Sequence, residues 1–451
     1  MKNNLIRKFD IDKSSLSENE KKVLDKLIKA AEAAAPIYGL QMNDKYEGAN
    51  FYPHNATQEE ILKVASTNPQ LLSPYTIVKR KKDGSLEAIP YHIEYATYLR
   101  SVIKLIREAA VITDNKDFAR RLEVQVDALE HGSYEAADIY WLTMKPYKID
   151  IVIGPIERYE DNLLFIKTCY QGTIGIMDQE RTKQAVEILD TLHSAQHKSF
   201  SFAQKVLAAQ KIDARIDDAV IYSGLGARQL FAGVDLPNDP HLIEKYGSQI
   251  IIYQNLVKHN FEQFHYPIFK KLFEKTFQES YSRELLLKTS TLLILIREIS
   301  TLMVKYTDAE KRLRELYPVI YEMASYVLAI KNAGTLLLKD VITQRELEGL
   351  MIMFISRAFE SFIIAKGVKS MQYSGKGYAI AINYFLRSGA LMEYKGISWV
   401  NFNKMFVVLV DLAATLDQIL AFGDFEDAKK LIDELGNTST CLKLLPEWRK
   451  L

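Results

Sequence analysis

The spacing of apolar residues divides the chain into helical stretches interrupted by a few short strands. Ser17 and Glu20 stand three residues apart just before KKVLDKLIKAAEAAA, where apolar positions recur every three or four residues. That pattern predicts a capped amphipathic helix, with Pro36 helping to end it. GANFYP, residues 48–53, reads as a loop, and Thr57 with Glu60 caps a second, shorter helix. TIVKR and LEAIP flank KKDGS, which predicts a β-hairpin with Asp83 and Gly84 at the turn. Helical periodicity then runs from about His92 to Leu142.

IDIVIGPIERY differs, because its β-branched residues alternate, and it predicts a strand from Ile149 to Tyr159. LLFIKTCYQGTIGI is its expected antiparallel neighbour. Helix resumes from Asp178 to about Gln210, and DAVIYSG and RQLFAGV read as short strands. After LPND, residues 236–239, the chain reads as helix almost to its end. Strands that come in hairpins, and not in alternation with helices, define an α+β, predominantly helical fold.

Composition narrows the function classes. The 451 residues suit two or three domains, and 48% apolar with 25% charged residues is ordinary for a globular chain. A net charge of +1 supplies no long-range field for nucleic acid or anionic lipid, so neither nucleic acid nor membrane is expected as a partner. The two cysteines, Cys169 and Cys441, are far apart and in no metal spacing, which suits a reducing, cytoplasmic compartment. MKNNLIRKFDIDKSS lacks the apolar core of a signal peptide. No apolar run reaches the roughly 18 residues of a membrane span. The nearest, TSTLLILIREISTLMV, is broken by Arg297 and Glu298.

The chain carries no glycine-rich phosphate loop and no GxSxG elbow. His193 and His197 share a helix face, but Ser194 stands where a zincin places its general base, so they read as solvated side chains. His259 and His265 have no ligand spacing, and His54 reads as a loop residue. Arg297 and Glu298 inside an apolar helix are the unexplained feature. Burying a charge is costly unless it is paired, so they form an internal ion pair or lie where both side chains reach water.

Taken in order, SLSENEKKVLDKLIKAA, GANFYP, SPYTIVKR, IDIVIGPIERYED, LPND, GKGYAIAINYFLRSGAL and GDFEDAKKLIDELG resemble the dipeptidyl peptidase III family of zinc metallopeptidases, in its shorter bacterial form. Active members carry His-Glu-x-x-His, or a version one residue longer, on one helix, and a Glu-Glu pair on a later helix supplies the third zinc ligand. Here the matching residues are Arg297-Glu298-Ile299-Ser300-Thr301 and Tyr321-Glu322. Both histidine positions, Arg297 and Thr301, are changed. Glu298 remains at the place of the general base and Glu322 at that of the third ligand, while Tyr326 replaces an outer acid. Ser374 stands where the family has a histidine that assists the transition state. Glu157 and Tyr159 match residues that hold the peptide N-terminus and polarise its carbonyl, and Asn238 matches an asparagine of the peptide-binding strand.

The resemblance implies two lobes around a cleft. One is a mixed lobe with a small β-barrel, residues 1–177 joined by about 213–240 and 388–451. The other is a mostly helical lobe, residues 178–212 and 241–387. It also implies that zinc, the cofactor of active relatives, has lost its ligands, leaving no cofactor expected. A guanidinium retains its proton and offers no lone pair to a metal. The expected function is therefore that of a pseudoenzyme, a non-catalytic homologue binding short peptides or a protein partner in the cleft, with Arg297 paired to Glu322 and Glu298. The alternative is an active peptidase or hydrolase, zinc-dependent or with a rearranged site.

Overall fold

The computed structural model describes residues 5–196, 211–303, 306, 308–367, 372–393 and 397–445. The chain forms two compact units. The first comprises Met1–Gln179, Ile216–Phe231 and Asp235–Gln249, and the second comprises Glu180–Arg215, Ala232–Val234 and Ile250–Leu451.

The first unit is mixed. β1 (Ile6–Lys8) precedes α1 (Glu18–Gln41), which starts on the expected capping box: Ser17 Oγ accepts from the Glu20 amide and Glu20 accepts from the Ser17 amide. The helix does not stop at Pro36. The proline is exposed, and Ala30, Ala31, Ala34, Ile37 and Tyr38 continue the buried face across it, so packing outweighs the missing N–H. α2 (Gln58–Ala65) begins at Thr57, whose hydroxyl accepts from the Glu60 amide. β2 (Thr76–Arg80) and β3 (Leu86–Pro90) form the predicted hairpin, with Gly84 at φ 87° in the turn. The long helical stretch resolves into α3 (Tyr91–Glu94), α4 (Ala96–Ile112), α5 (Lys116–His131) and α6 (Glu135–Thr143).

β4 (Ile149–Glu157) and β5 (Cys169–Met177) pair antiparallel, Ile149 opposite Ile176, and β5 pairs with β6 (Ile212–Gly224), Gly172 opposite Ser223. α7 (Gln179–Gln196), α8 (Leu225–Gln229), β7 (Gly233–Leu236), α9 (Pro240–Tyr246) and β8 (Ser248–Tyr253) complete this part of the chain. The sheet, a half-barrel, runs β4-β5-β6-β8-β7 with β1 on β6. α1 packs on β5. There Gly172 permits close approach, since a Cβ would lie 2.5 Å from Ser223 Oγ and 3.3 Å from Ala31 Cβ. Two expectations differ here. RQLFAGV is not one strand, because α8 turns before β7 starts at Gly233. SQIIIY after LPND is strand β8, buried along its whole length, where the sequence reads as helix. A short apolar run buried on both faces carries no two-residue period to reveal it.

The second unit is mostly helical. α10 (Gln254–Asn260), α11 (Tyr266–Leu272) and α12 (Lys275–Gln278) lead to α13 (Arg283–Met303), and α14 (Ala309–Leu313) to α15 (Tyr317–Leu338), α16 (Gln344–Gly367) and α17 (Gln372–Ser388). α13 packs on both α15 and α16. β9 (Leu391–Glu393) and β10 (Ile397–Val400) form an antiparallel pair that the sequence does not predict, before α18 (Phe402–Phe422), α19 (Phe425–Leu435) and α20 (Thr438–Leu442). Residues 388–451, expected with the mixed lobe, group with this unit. α18 packs on α15, α19 on α17, and Asn383 Nδ2 donates to the carbonyls of Leu435 and Asn437. α18 is long and apolar enough to cross a membrane by length and composition, although Asp411 and Asp417 divide its apolar run. Its buried residues, Met405, Leu409, Leu412 and Leu416 among them, form one side of the helix.

Candidate functional site

Arg297 and Glu298 lie in the middle of α13, and Glu322 lies near the start of α15. The guanidinium sits between the two carboxylates. Arg297 Nη1 donates to Glu298 Oε1 at 2.7 Å and Nη2 to Glu322 Oε2 at 3.0 Å. The side chains are 20%, 7% and 20% exposed, so the triad is shielded from bulk water on most sides. Burial works against the charge on Arg297. The carboxylates of Glu298 and Glu322 outweigh it and hold the guanidinium pKa well above its ordinary value. The alternative of a helix edge reaching water is therefore not realised, and the pairing expected from the sequence is present.

Neighbouring groups fix this arrangement. Thr301 Oγ1 donates to the Arg297 carbonyl at 2.9 Å, and Tyr321 OH donates to the Thr301 carbonyl at 3.2 Å. Gly233 admits the Glu298 carboxylate, because a Cβ there would meet Ile294 at 2.9 Å and Glu298 Oε1 at 3.2 Å. The Arg297 guanidinium carbon lies 5.4 Å from the Tyr326 ring centre, within cation–π range. Tyr326 OH accepts from Arg357 Nη2 at 3.0 Å.

Some residues of this neighbourhood carry no local sequence signal. On α17, burial raises the Tyr373 pKa and Glu322 adds to the rise, with Arg297 opposing. Ser374 instead pairs with Ser361 of α16, Oγ to Oγ at 3.0 Å, and is buried. Further along, His265 Nε2 and Glu360 Oε2 are 2.7 Å apart. Burial lowers the His265 pKa against the pull of Glu360. Burial also acts to raise the Glu360 pKa, but His265 and Arg357 hold it below the usual carboxylate range.

Glu157, Tyr159 and Asn238 lie in the first unit. Glu157 ends β4 just past a bulge and is half-buried. Tyr159 is 48% exposed, with its ring 5.9 Å from that of Phe231. Asn238 Nδ2 donates to the Ile156 carbonyl at 3.4 Å, which ties the LPND segment to the end of β4. His54 stacks on Tyr46 at 3.8 Å, a packing role in its loop. His193 lies on α7, and His197 lies outside the described residues.

The residues present do not fit the zinc that the resemblance implies. Arg297 carries a cation where a neutral imidazole would bind, and the Thr301 hydroxyl is spent on the helix backbone. Among the described residues no group of three or more His, Cys, Asp and Glu is placed to hold a metal ion.

Comparison with known proteins agrees with this architecture. The model of peptidase family M49 matches residues 54–287, more than half of the chain, and the chain belongs to that family. The structure of DPP III from Caldithrix abyssi is similar with a TM-score of 0.88 at 22% identity, covering 97% of this chain and 94% of that one. Dipeptidyl-peptidase III from Corallococcus sp. strain EGB gives 0.82 at 21% identity, covering 99% and 93%. The fold is thus that of dipeptidyl peptidase III. Nudix hydrolase 3 of Arabidopsis thaliana is 23% identical over a gapped alignment of 481 positions that covers 96% of this chain. The chain spans 62% of that relative's length.

Proposed function

We propose that this protein is a non-catalytic member of the family that binds short peptides, with Arg297 occupying the electrostatic role of a metal between Glu298 and Glu322. The supporting observation is the guanidinium within hydrogen-bond distance of both carboxylates. General-base work requires a carboxylate lone pair aimed at the proton it takes, and Glu298 Oε1 is already engaged by the Arg297 guanidinium. Glu157, Tyr159 and Asn238 are the residues offered for peptide contact, the first for an α-ammonium and the other two for the backbone.

Three measurements on the purified protein test the reading. Metal analysis after incubation with zinc is expected to find no stoichiometric ion. A dipeptidyl-arylamide assay with added zinc or cobalt is expected to show no turnover. Thermal unfolding with tri- to pentapeptides is expected to shift upward with peptide concentration, because a ligand of the folded state stabilises it by mass action. Metal-dependent turnover refutes the non-catalytic part, and an unchanged Tm across a peptide panel refutes the binding part.

A further inference from the structure

The first unit carries a groove along α4 with a volume of about 660 Å³. Its lining comes from α1 (Lys26), α4 (Arg100 to Ile112) and α5 (Glu130). Two chemistries meet there. The apolar part is small: Ile103 lies at the bottom, 8% exposed, Ile112 is half-buried, and Val111 stands out at the edge, 87% exposed. A rim of four cations, Lys26, Arg100, Lys104 and Arg107, faces two carboxylates, Glu108 and Glu130.

Those carboxylates do not neutralise the rim. Glu130 pairs with Arg107 at 2.6 Å. Glu108 is shared, in contact with Lys26 and 3.9 Å from Lys104. Arg100 is exposed and makes no ion pair among the described residues. The groove therefore carries a surplus of two positive charges in a chain whose whole net charge is +1. Arg100, Lys104, Arg107 and Val111 recur at i, i+4, i+7 and i+11, which aligns them on one face of α4.

We infer that this face docks an acidic amphipathic helix of a partner protein. The twelve residue steps from Arg100 to Ile112 span about 18 Å, the length of roughly three helical turns. A helix with leucines on one stripe and glutamates beside them places its apolar stripe on Val111 and Ile112 and its carboxylates on Arg100 and Lys104. The interspersed Glu108 and Glu130 disfavour a polyphosphate backbone, and the apolar part gives it nothing to bury.

The test uses the full chain and a fluorescein-labelled model helix built on repeats of Glu-Leu-Leu-Glu, followed by fluorescence anisotropy. A scrambled peptide and a Lys-for-Glu peptide serve as controls. The Glu-Leu peptide is expected to bind with a Kd on the order of 10 μM at low salt and to weaken severalfold at physiological ionic strength. The double variant R100E/K104E is expected to lose about tenfold or more in affinity. V111D is expected to lose binding by a similar factor with circular dichroism unchanged. Binding that ignores both variants overturns the inference. So does binding of a 30-nucleotide DNA or of phosphatidylserine vesicles with the same sensitivity to R100E/K104E while the peptide fails.

Discussion

Removing the guanidinium of Arg297 tests the electrostatic account of the site most directly. In Arg297→Ala the Glu298 carboxylate, 7% exposed, and the Glu322 carboxylate, 20% exposed, lose the cation between them. Breaking a buried pair by deleting one partner costs about 3–5 kcal/mol, because the remaining charge stays desolvated. Here two carboxylates remain and repel each other, which places the expected loss in the upper part of that range. For a unit of this size the loss corresponds to a fall in Tm of roughly 6–20 °C. Urea unfolding gives the free energy directly. Because the chain has two units, the transition of the second is followed by hydrogen exchange of α13 and α15. Two companions separate charge from volume. Arg297→Met keeps most of the packing and retains the loss. The triple variant R297M/E298Q/E322Q removes all three charges and recovers most of it. If Arg297→Ala unfolds within about 1 kcal/mol of the parent, or the triple variant recovers nothing, the guanidinium is not holding the two helices.

Asp138, Lys167 and the Arg297/Thr301 pair of positions give three further outcomes. Burial pushes the Asp138 carboxyl up to about 6, opposed by Arg121 and aided by Asp239. The proton is thus favoured in the fold, so this contribution is fully present below the unfolded value of 3.8 and is lost as pH rises through about 6. Asp138→Asn is expected to gain roughly 1–3 kcal/mol at pH 7.5 and to flatten the urea midpoint between about pH 4 and pH 6; an unchanged profile refutes the assignment. The Lys167 ammonium is fully buried and donates to the carbonyls of Leu71 and Ser73 and to Thr76 Oγ1, at 2.8, 2.8 and 2.7 Å. Lys167→Met strands these acceptors and is expected to destabilise the first unit by about 2–4 kcal/mol, measured by chemical unfolding, whereas a loss under about 1 kcal/mol shows water replacing the amine. The pair R297H/T301H restores two imidazoles opposite Glu322 and is expected to bind zinc in a calorimetric titration where the parent gives no heat; silence from the variant means that the α13–α15 spacing does not suit the ion.

The sequence was most legible where a side chain acts on its own neighbours. Ser17 with Glu20, Thr57 with Glu60 and the Asp83-Gly84 turn each concern residues within four positions, and each element starts or turns where those residues stand. The Arg297 pairing was legible for a different reason. A charged pair in an apolar helix needs a counter-charge, and the family resemblance placed Glu322 opposite. Less legible were features decided by tertiary contacts. β8 is a run of apolar residues whose burial on both faces erases alternation. α1 crosses Pro36 because its neighbours are held by packing. Arg357, Glu360 and His265 adjoin one another across separations such as the 95 residues between His265 and Glu360, and Tyr373 meets the charges of Glu322 and Arg297 from another helix, which no local pattern records.

Because the cation of the Glu298–Glu322 cluster is covalently part of α13, it arrives in fixed ratio with the carboxylates it serves. Dialysis against EDTA is therefore expected to leave the Tm of the second unit unchanged, where a junction held by a bound metal loses stability. On the proposed reading, a newly made chain already holds the cation that joins α13 to α15.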